Sequence, residues 1–197
     1  MSRVTTAYLL TCAAIGVAGG ALLVAANWVS TALFAALPFF SVAIAGLWLL
    51  PAVVALRLLQ RPLAGLLVGL ISGLVIVPFS GYGFASVATN LWWAFFAELP
   101  FLIVAYRFWK TWQHYAGALA VGAVYPILAW ASFDLGSMTL AVQIGFFALV
   151  LVSAVAGTAL GILVADRLER AGVARLARRR PKAVAAPAGT VPTQDGR

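Results

Sequence analysis

The sequence predicts an all-α integral membrane protein: a bundle of six transmembrane helices with both termini in the cytoplasm. Three observations predict it. Only 9% of the 197 residues are charged and the mean hydropathy is +1.04, whereas a water-soluble domain carries about 25% charged residues. Residues 4–56, 62–97 and 135–165 contain no charged side chain, and 111–133 contain only His114. Finally, the thirteen Lys and Arg residues cluster where a six-pass topology puts one face of the membrane.

A spanning helix needs about 20 apolar residues. On that measure the spans are 6–26, 36–56, 62–78, 84–106, 115–133 and 140–165. The first is too long for a secretory signal and is retained. The third is the shortest, opened by Pro62 and closed by Pro78. Turn chemistry marks the joints: "NWVST" after the first span, "RLLQRP" after the second, "FSGYG" after the third, "RFWKTWQH" after the fourth and "DLGS" after the fifth. Arg3, Arg57, Arg61, Arg107, Lys110, Arg167, Arg170 and the arginines beyond then share one side, and the other side keeps only Asp134. By the positive-inside rule the basic side is cytoplasmic, which makes the chain a multi-pass protein of the cell membrane.

Three segments follow from the composition. Residues 1–166 form the six-helix domain. Residues 167–180 read as a basic amphipathic segment at the membrane surface, meeting anionic headgroups. Residues 181–197 are small, Pro-containing and expected to be disordered.

Small residues let membrane helices approach closely. They recur as Gly65, Gly69 and Gly73 in the third span, Gly16, Gly20, Ala14 and Ala18 in the first, and Gly157 and Gly161 in the sixth. Two uses fit them: internal packing of the bundle, or docking of another membrane protein on the first helix. Pro51, Pro100 and Pro126 lie inside spans, and each frees a carbonyl that must be satisfied within the protein. The carbonyl freed by Pro100 belongs to Phe96, near Glu98, so a polar cavity is expected there.

Glu98, in "WWAFFAELPF", is the most informative residue. A carboxylate deep in a membrane helix costs on the order of 3 kcal/mol and usually faces a pathway or a ligand. Three readings fit it: a ligand contact, a hydrogen bond to a neighbouring helix, or proton coupling in a solitary carrier. Asn90 sits one to two turns away on the same span, and Trp48, with Ser41 on its face, lies at a comparable depth in the second span. A carboxyl, a carboxamide, a hydroxyl and an indole suit a small, flat, nitrogen-bearing ligand. Trp28, Trp109 and Trp130 fit the interfacial belt. The sequence has no GxxxxGK[ST] phosphate loop, no Ser-His-Asp set and no zinc motif, so no enzyme chemistry and no cofactor is expected.

The ordered motifs "GLWLLP" (46–51), "RPLAGLL" (61–67), "FSGYGF" (79–84), "AEL" (97–99) with "YRFW" (106–109), "SAVAGTALG" (153–161) and "LERAGVARLARR" (168–179) span roughly residues 7–180. Together they resemble the YkoE-type S components, the substrate-capture membrane subunits of energy-coupling-factor (ECF) transporters in the thiamin/hydroxymethylpyrimidine branch. The resemblance implies a six-helix subunit that binds a thiamin-related compound from outside. It implies work beside a transmembrane coupling (T) subunit and two cytoplasmic ATPase subunits, which use the ATP. Glu98, Gly46, Leu47, Trp48 and Tyr82 match the family's positions, and Ala14, Ala18, Gly16 and Gly20 fall where its first helix meets the coupling subunit. There are two departures. Leu63 replaces the glycine of the usual Arg/Lys-Pro-Gly, and Trp93 replaces a glutamine five residues before the glutamate. The expected ligand contacts are therefore Glu98, Trp48, Asn90, Tyr82, Ser41 and Trp93. The rival reading is a non-transporting membrane partner or assembly protein whose polar core residues are structural.

Overall fold

The structure, a computed structural model, describes residues 5–173. The expected tail at 181–197 and residues 174–180 of the basic segment lie outside the described residues. All regular structure within them is helical: α1 (Thr6–Ala36), α2 (Pro38–Ser41), a 3-10 stretch (Val42–Leu49), α3 (Leu50–Leu59), α4 (Ala64–Ile76), α5 (Ala85–Ile103), α6 (Thr111–Leu128) and α7 (Leu140–Arg170), with short 3-10 turns at Val77–Phe79 and Leu135–Ser137. Four helices are long and apolar enough to cross a membrane: Thr6–Ala36, Pro38–Leu59, Ala85–Ile103 and Leu140–Arg170. The chain is a multi-pass membrane protein.

Three helices differ from expectation by four residues or more, one of them α6 (Thr111–Leu128), which begins and ends four to five residues before the expected 115–133 because Thr111–His114 of the joint "RFWKTWQH" is its first turn. α1 runs ten residues past 26 because "NWVST" contains neither Gly nor Pro, and the helix stops only ahead of Pro38. α7 continues through Arg167 to Arg170, so the start of the basic segment is the last turn of the final helix.

The most buried of the four long helices, Pro38–Leu59, runs through the middle of the bundle. Its first half winds as a 3-10 helix, unusual beyond 3–4 residues because the hydrogen-bond geometry is poorer. α7 compensates for this. Ser153 Oγ donates to the Ala43 carbonyl (2.7 Å) and accepts from the Gly46 amide (2.9 Å). The two backbones touch here, with Gly46 facing Ser153 and Gly157. Gly46, matched to a ligand-motif position by the resemblance, serves helix packing.

The double GxxxG of α4 is used internally. A Cβ on Gly69 would lie 2.5 Å from Ala94 Cβ, and one on Gly73 would lie 2.8 Å from Val87 Cα, so α4 and α5 are sealed along this line. The other side of α4 takes α1. Cβ atoms on Gly16 and Gly20 would meet Ile71 and Val75 at 2.6 Å, and Ser72 Oγ donates to the Gly16 carbonyl at 3.1 Å.

One end of the bundle is basic. Arg57 Nε pairs with Asp166 at 2.9 Å and its Nη1 donates to Thr111 Oγ1, tying α3, α6 and α7. Arg61 stacks on Tyr8 with its guanidinium carbon 5.1 Å from the ring centroid. The loop there carries the departure noted in sequence: Leu63 sits at φ 62°, ψ 12°, a left-handed conformation that glycine adopts freely and an L-residue at a cost of roughly 1–2 kcal/mol. Leu63 is exposed, so little packing is lost with its side chain. Leu63→Gly is expected to stabilise the protein by about 1 kcal/mol, read as a raised melting temperature in detergent.

Candidate functional site: an aromatic and carboxamide cavity

α5 presents Ser86, Asn90 and Trp93 at i, i+4 and i+7, one face of a helix. That face looks into a cavity of about 250 Å³ at the end of the bundle opposite the arginines. α1 adds Asn27 and Ser30, and α2 adds Ser41. The 3-10 stretch adds Val42, Ala45 and Trp48, and α4 adds Ile76. The loop before α5 adds Tyr82, and α6 adds Tyr125.

The aromatic wall is continuous. Trp48 and Trp93 have ring centroids 6.5 Å apart at 36°, and Trp93 and Tyr125 are 5.2 Å apart at 38°. The polar groups are held in place by the backbone. Asn90 Nδ2 donates to the Ser86 carbonyl at 2.8 Å, and Ser41 Oγ donates to the Pro38 carbonyl at 2.6 Å. Ser86 Oγ donates to Ser80 Oγ at 2.9 Å, and Ser80 Oγ accepts from the Tyr82 amide at 3.1 Å, which pins the loop carrying Tyr82. Among the described residues, the lining carries hydroxyls, carboxamides and aromatic rings and no charged side chain. A neutral polar edge flanked by π-faces fits a flat heterocycle that hydrogen-bonds along one side.

Of the six expected contacts, the structure brings Trp48, Asn90, Tyr82, Ser41 and Trp93 to this cavity and puts Glu98 elsewhere. Eight residues of α5, about 12 Å of rise, separate Asn90 from Glu98, and the sealed Gly69–Ala94 contact closes the space between them. Glu98 Oε2 accepts from the Leu66 amide at 2.8 Å, and its Oε1 accepts from the Tyr106 hydroxyl at 3.0 Å. Leu66 is the third residue of α4, whose N-cap position, Leu63, has no side-chain oxygen to offer. Glu98 supplies that cap from the neighbouring helix. The polar cavity expected beside the Phe96 carbonyl is likewise filled, because Gly117 brings the backbone of α6 against it: a Cβ there would sit 2.8 Å from the Phe96 oxygen.

Sequence reasoning missed Asn27, Ser30, Ser86 and Tyr125. The first two fell in the misassigned joint "NWVST". Continued as helix, Asn27 and Ser30 stand at i and i+3 on one face, and that spacing was the available signal.

The small residues of α1 divide. Gly16 and Gly20 are buried against α4 and are therefore unavailable for docking. Ala14 and Ala18 are exposed and line an apolar groove of about 310 Å³ with Pro51, Val54, Val164 and Leu168.

The family model for the permease component of the ABC-type cobalt transport system matches residues 8–124. The chain belongs to that family. A permease component is a transport subunit and not an enzyme. A crystal structure titled as an S-component of an ECF transporter superimposes with a TM-score of 0.78 at 17% identity, covering 88% of this chain and 89% of that one. The permease family's fold in this chain is thus that of the solved S-component. No curated protein matches the sequence.

Proposed function

We propose that this permease-family chain is the substrate-binding S component of an ECF-type transporter. It captures a small nitrogen heterocycle of the thiamin class, thiamin or its hydroxymethylpyrimidine precursor. Six helices cross the membrane with both termini cytoplasmic, so the cavity opens outward. The observation that carries this reading is the cavity: two indoles, two tyrosine rings, carboxamides and hydroxyls, at the end away from the arginines. The groove holding Ala14 and Ala18 receives the transmembrane coupling subunit, and two cytoplasmic ATPase subunits supply the energy. Membership of a transport family favours this role over that of an assembly partner.

The family model's name speaks of cobalt. A bare divalent cobalt ion wants imidazole, thiolate or carboxylate donors. The described residues contain no group of three or more His, Cys, Asp or Glu able to hold a metal, and the cavity offers only hydroxyl and carboxamide oxygens as polar donors to an ion. The donor set fits an organic ligand.

The test is calorimetry on purified protein with thiamin, its pyrimidine half, its thiazole half and Co²⁺. Thiamin or the pyrimidine is expected to bind and Co²⁺ is not. Trp48→Ala and Asn90→Ala are each expected to weaken binding at least about tenfold, the loss of about 1.4 kcal/mol of stacking or hydrogen bonding. Trp130→Phe, in the interfacial belt, is expected to leave it unchanged. Tight Co²⁺ binding with no response to the organic panel would overturn the proposal.

A further inference from the structure

The cavity of the candidate site is open on one side. Of its lining, only Tyr82, Ala85 and Thr89 are exposed, and all three belong to the loop before α5 or to the first turns of that helix. The α1 side of the lining, Asn27 and Ser30, is half-buried. Further along α1, Phe34 packs edge-on against Phe133 with centroids 5.2 Å apart, which ties the tip of α1 to the loop after α6 and closes that flank. The mouth therefore lies between the outer part of α1 and the 77–84 loop.

The short α4 sets the depth of that mouth. It has 13 residues, roughly 20 Å at ~1.5 Å per residue, and begins just after Arg61 on the basic face. The hydrocarbon core of a bilayer is about 30 Å thick. A helix that starts at the basic face and rises roughly 20 Å ends inside the core, and tilt only lowers its end. α1 runs parallel to α4 in constant register, since Cβ atoms on Gly16 and Gly20 would meet Ile71 and Val75. Ile76 is thus level with Ala21, and the rest of α1, 22–36, rises roughly 22 Å past it. The 77–84 loop sits in that step.

Its surface and its hydrogen bonds suit lipid. Phe79, Tyr82 and Phe84 are 55%, 67% and 77% exposed, and Trp28 and Val29, next to Asn27, are 63% and 52% exposed. No charged residue occurs in 4–56 or 62–97. Non-helical backbone at membrane depth must satisfy its own amides, and this loop does so. The Tyr82 amide donates to Ser80 Oγ and the Gly83 amide to the Ser80 carbonyl. The amides of Ala85, Ser86 and Val87 donate to the carbonyls of Tyr82, Gly83 and Phe84 at 3.0–3.2 Å.

We infer that the mouth opens sideways into the lipid leaflet at the end away from the arginines, the outer leaflet in the proposed orientation. Its rim, Trp28 and Val29 on one side and Phe79, Tyr82 and Phe84 on the other, is a docking surface for phospholipid. Acyl chains meet the rings, and Tyr82 meets the headgroup layer with its hydroxyl, the placement that amphipathic rings favour at a membrane interface. A ligand then reaches the cavity through the headgroup layer and past the Tyr82 ring. The inference goes beyond the binding role and holds whichever ligand the cavity takes.

Spin labels test it. Trp28→Cys and Phe84→Cys, one on each side of the mouth, and Ser137→Cys, in the loop after α6, would each be labelled with a nitroxide in the full chain, reconstituted into phosphatidylcholine vesicles. All three side chains are exposed, so no core packing is removed. Cys12 is fully buried, and wild type treated with the same reagent reports any signal from it. Power saturation compares relaxation by oxygen, which concentrates in lipid, with relaxation by a water-soluble nickel chelate. The oxygen-to-nickel ratio at the two mouth positions is expected to exceed that at the Ser137 position by at least about threefold, the sign of lipid depth. A smaller excess at either mouth position would put the mouth in water and overturn the inference. Calorimetry on the unlabelled chain reads the binding role separately, so the two stand or fall independently.

Discussion

Gly46→Val is expected to abolish recovery of folded protein. The 3-10 stretch Val42–Leu49 lies backbone to backbone on α7, and any Cβ at Gly46 would collide with the Ser153 carbonyl. Neither partner can yield cheaply. A backbone carbonyl is not a flexible side-chain end, and moving α7 away would break the two Ser153 hydrogen bonds that satisfy the 3-10 turn. In a bilayer those groups find no water to replace them. Association here relies on close packing, since lipid tails are as apolar as the helices. The cost should exceed about 4 kcal/mol, at the extreme of single substitutions. Size-exclusion profile and circular dichroism of the detergent-purified variant would show it as loss of the monodisperse peak. Gly81→Val is the control, since nothing lies within 4 Å of a Cβ there. A Gly46→Val protein that melts like the wild type would mean that the two backbones do not meet in this way.

The membrane class was legible because hydropathy and charge placement are one-dimensional quantities. Apolar runs and clustered arginines locate spans whatever their partners, and most helix boundaries came within a few residues. The end of α1 was not legible by the same rule, because Asn27, Ser30 and Thr31 look like loop residues until the absence of Gly and Pro is weighed against them. The cavity was legible in part. Deep polar and aromatic residues at Ser41, Trp48 and Asn90 stand out from an apolar background, and depth along a helix can be counted. What counting could not supply was which helices adjoin at each depth. Glu98 and Asn90 lie on the same buried side of α5, but the cavity ends between them because Gly69 lets α4 close on Ala94. The glycine stripe that decides this was visible in sequence with two uses open, and only the packing chooses between them. Leu63 was recognised as a departure from glycine, and the left-handed backbone at that position gives the departure its physical meaning.

Glu98→Leu is expected to destabilise the protein by about 3 kcal/mol while leaving ligand affinity of the folded fraction within about threefold. Two half-buried donors lose their acceptor: the Leu66 amide at 2.8 Å and the Tyr106 hydroxyl at 3.0 Å. Each unpaired donor costs about 1–3 kcal/mol where water cannot reach it. Glu98→Gln keeps one acceptor oxygen and is expected to cost about 1 kcal/mol, so the series Glu, Gln, Leu should descend in melting temperature. The binding series should stay flat, because Glu98 is absent from the lining of the cavity and the Gly69–Ala94 contact stands between the two. Asn90→Ala should show the opposite pattern, with affinity lost and melting nearly unchanged, because its Nδ2 bonds only the Ser86 carbonyl one turn earlier on its own helix. The two variants thus separate a helix cap from a ligand contact on a single helix. A Glu98→Gln protein that melts normally and loses more than tenfold in affinity would return the glutamate to the ligand and require α4 and α5 to part at Gly69 when it binds.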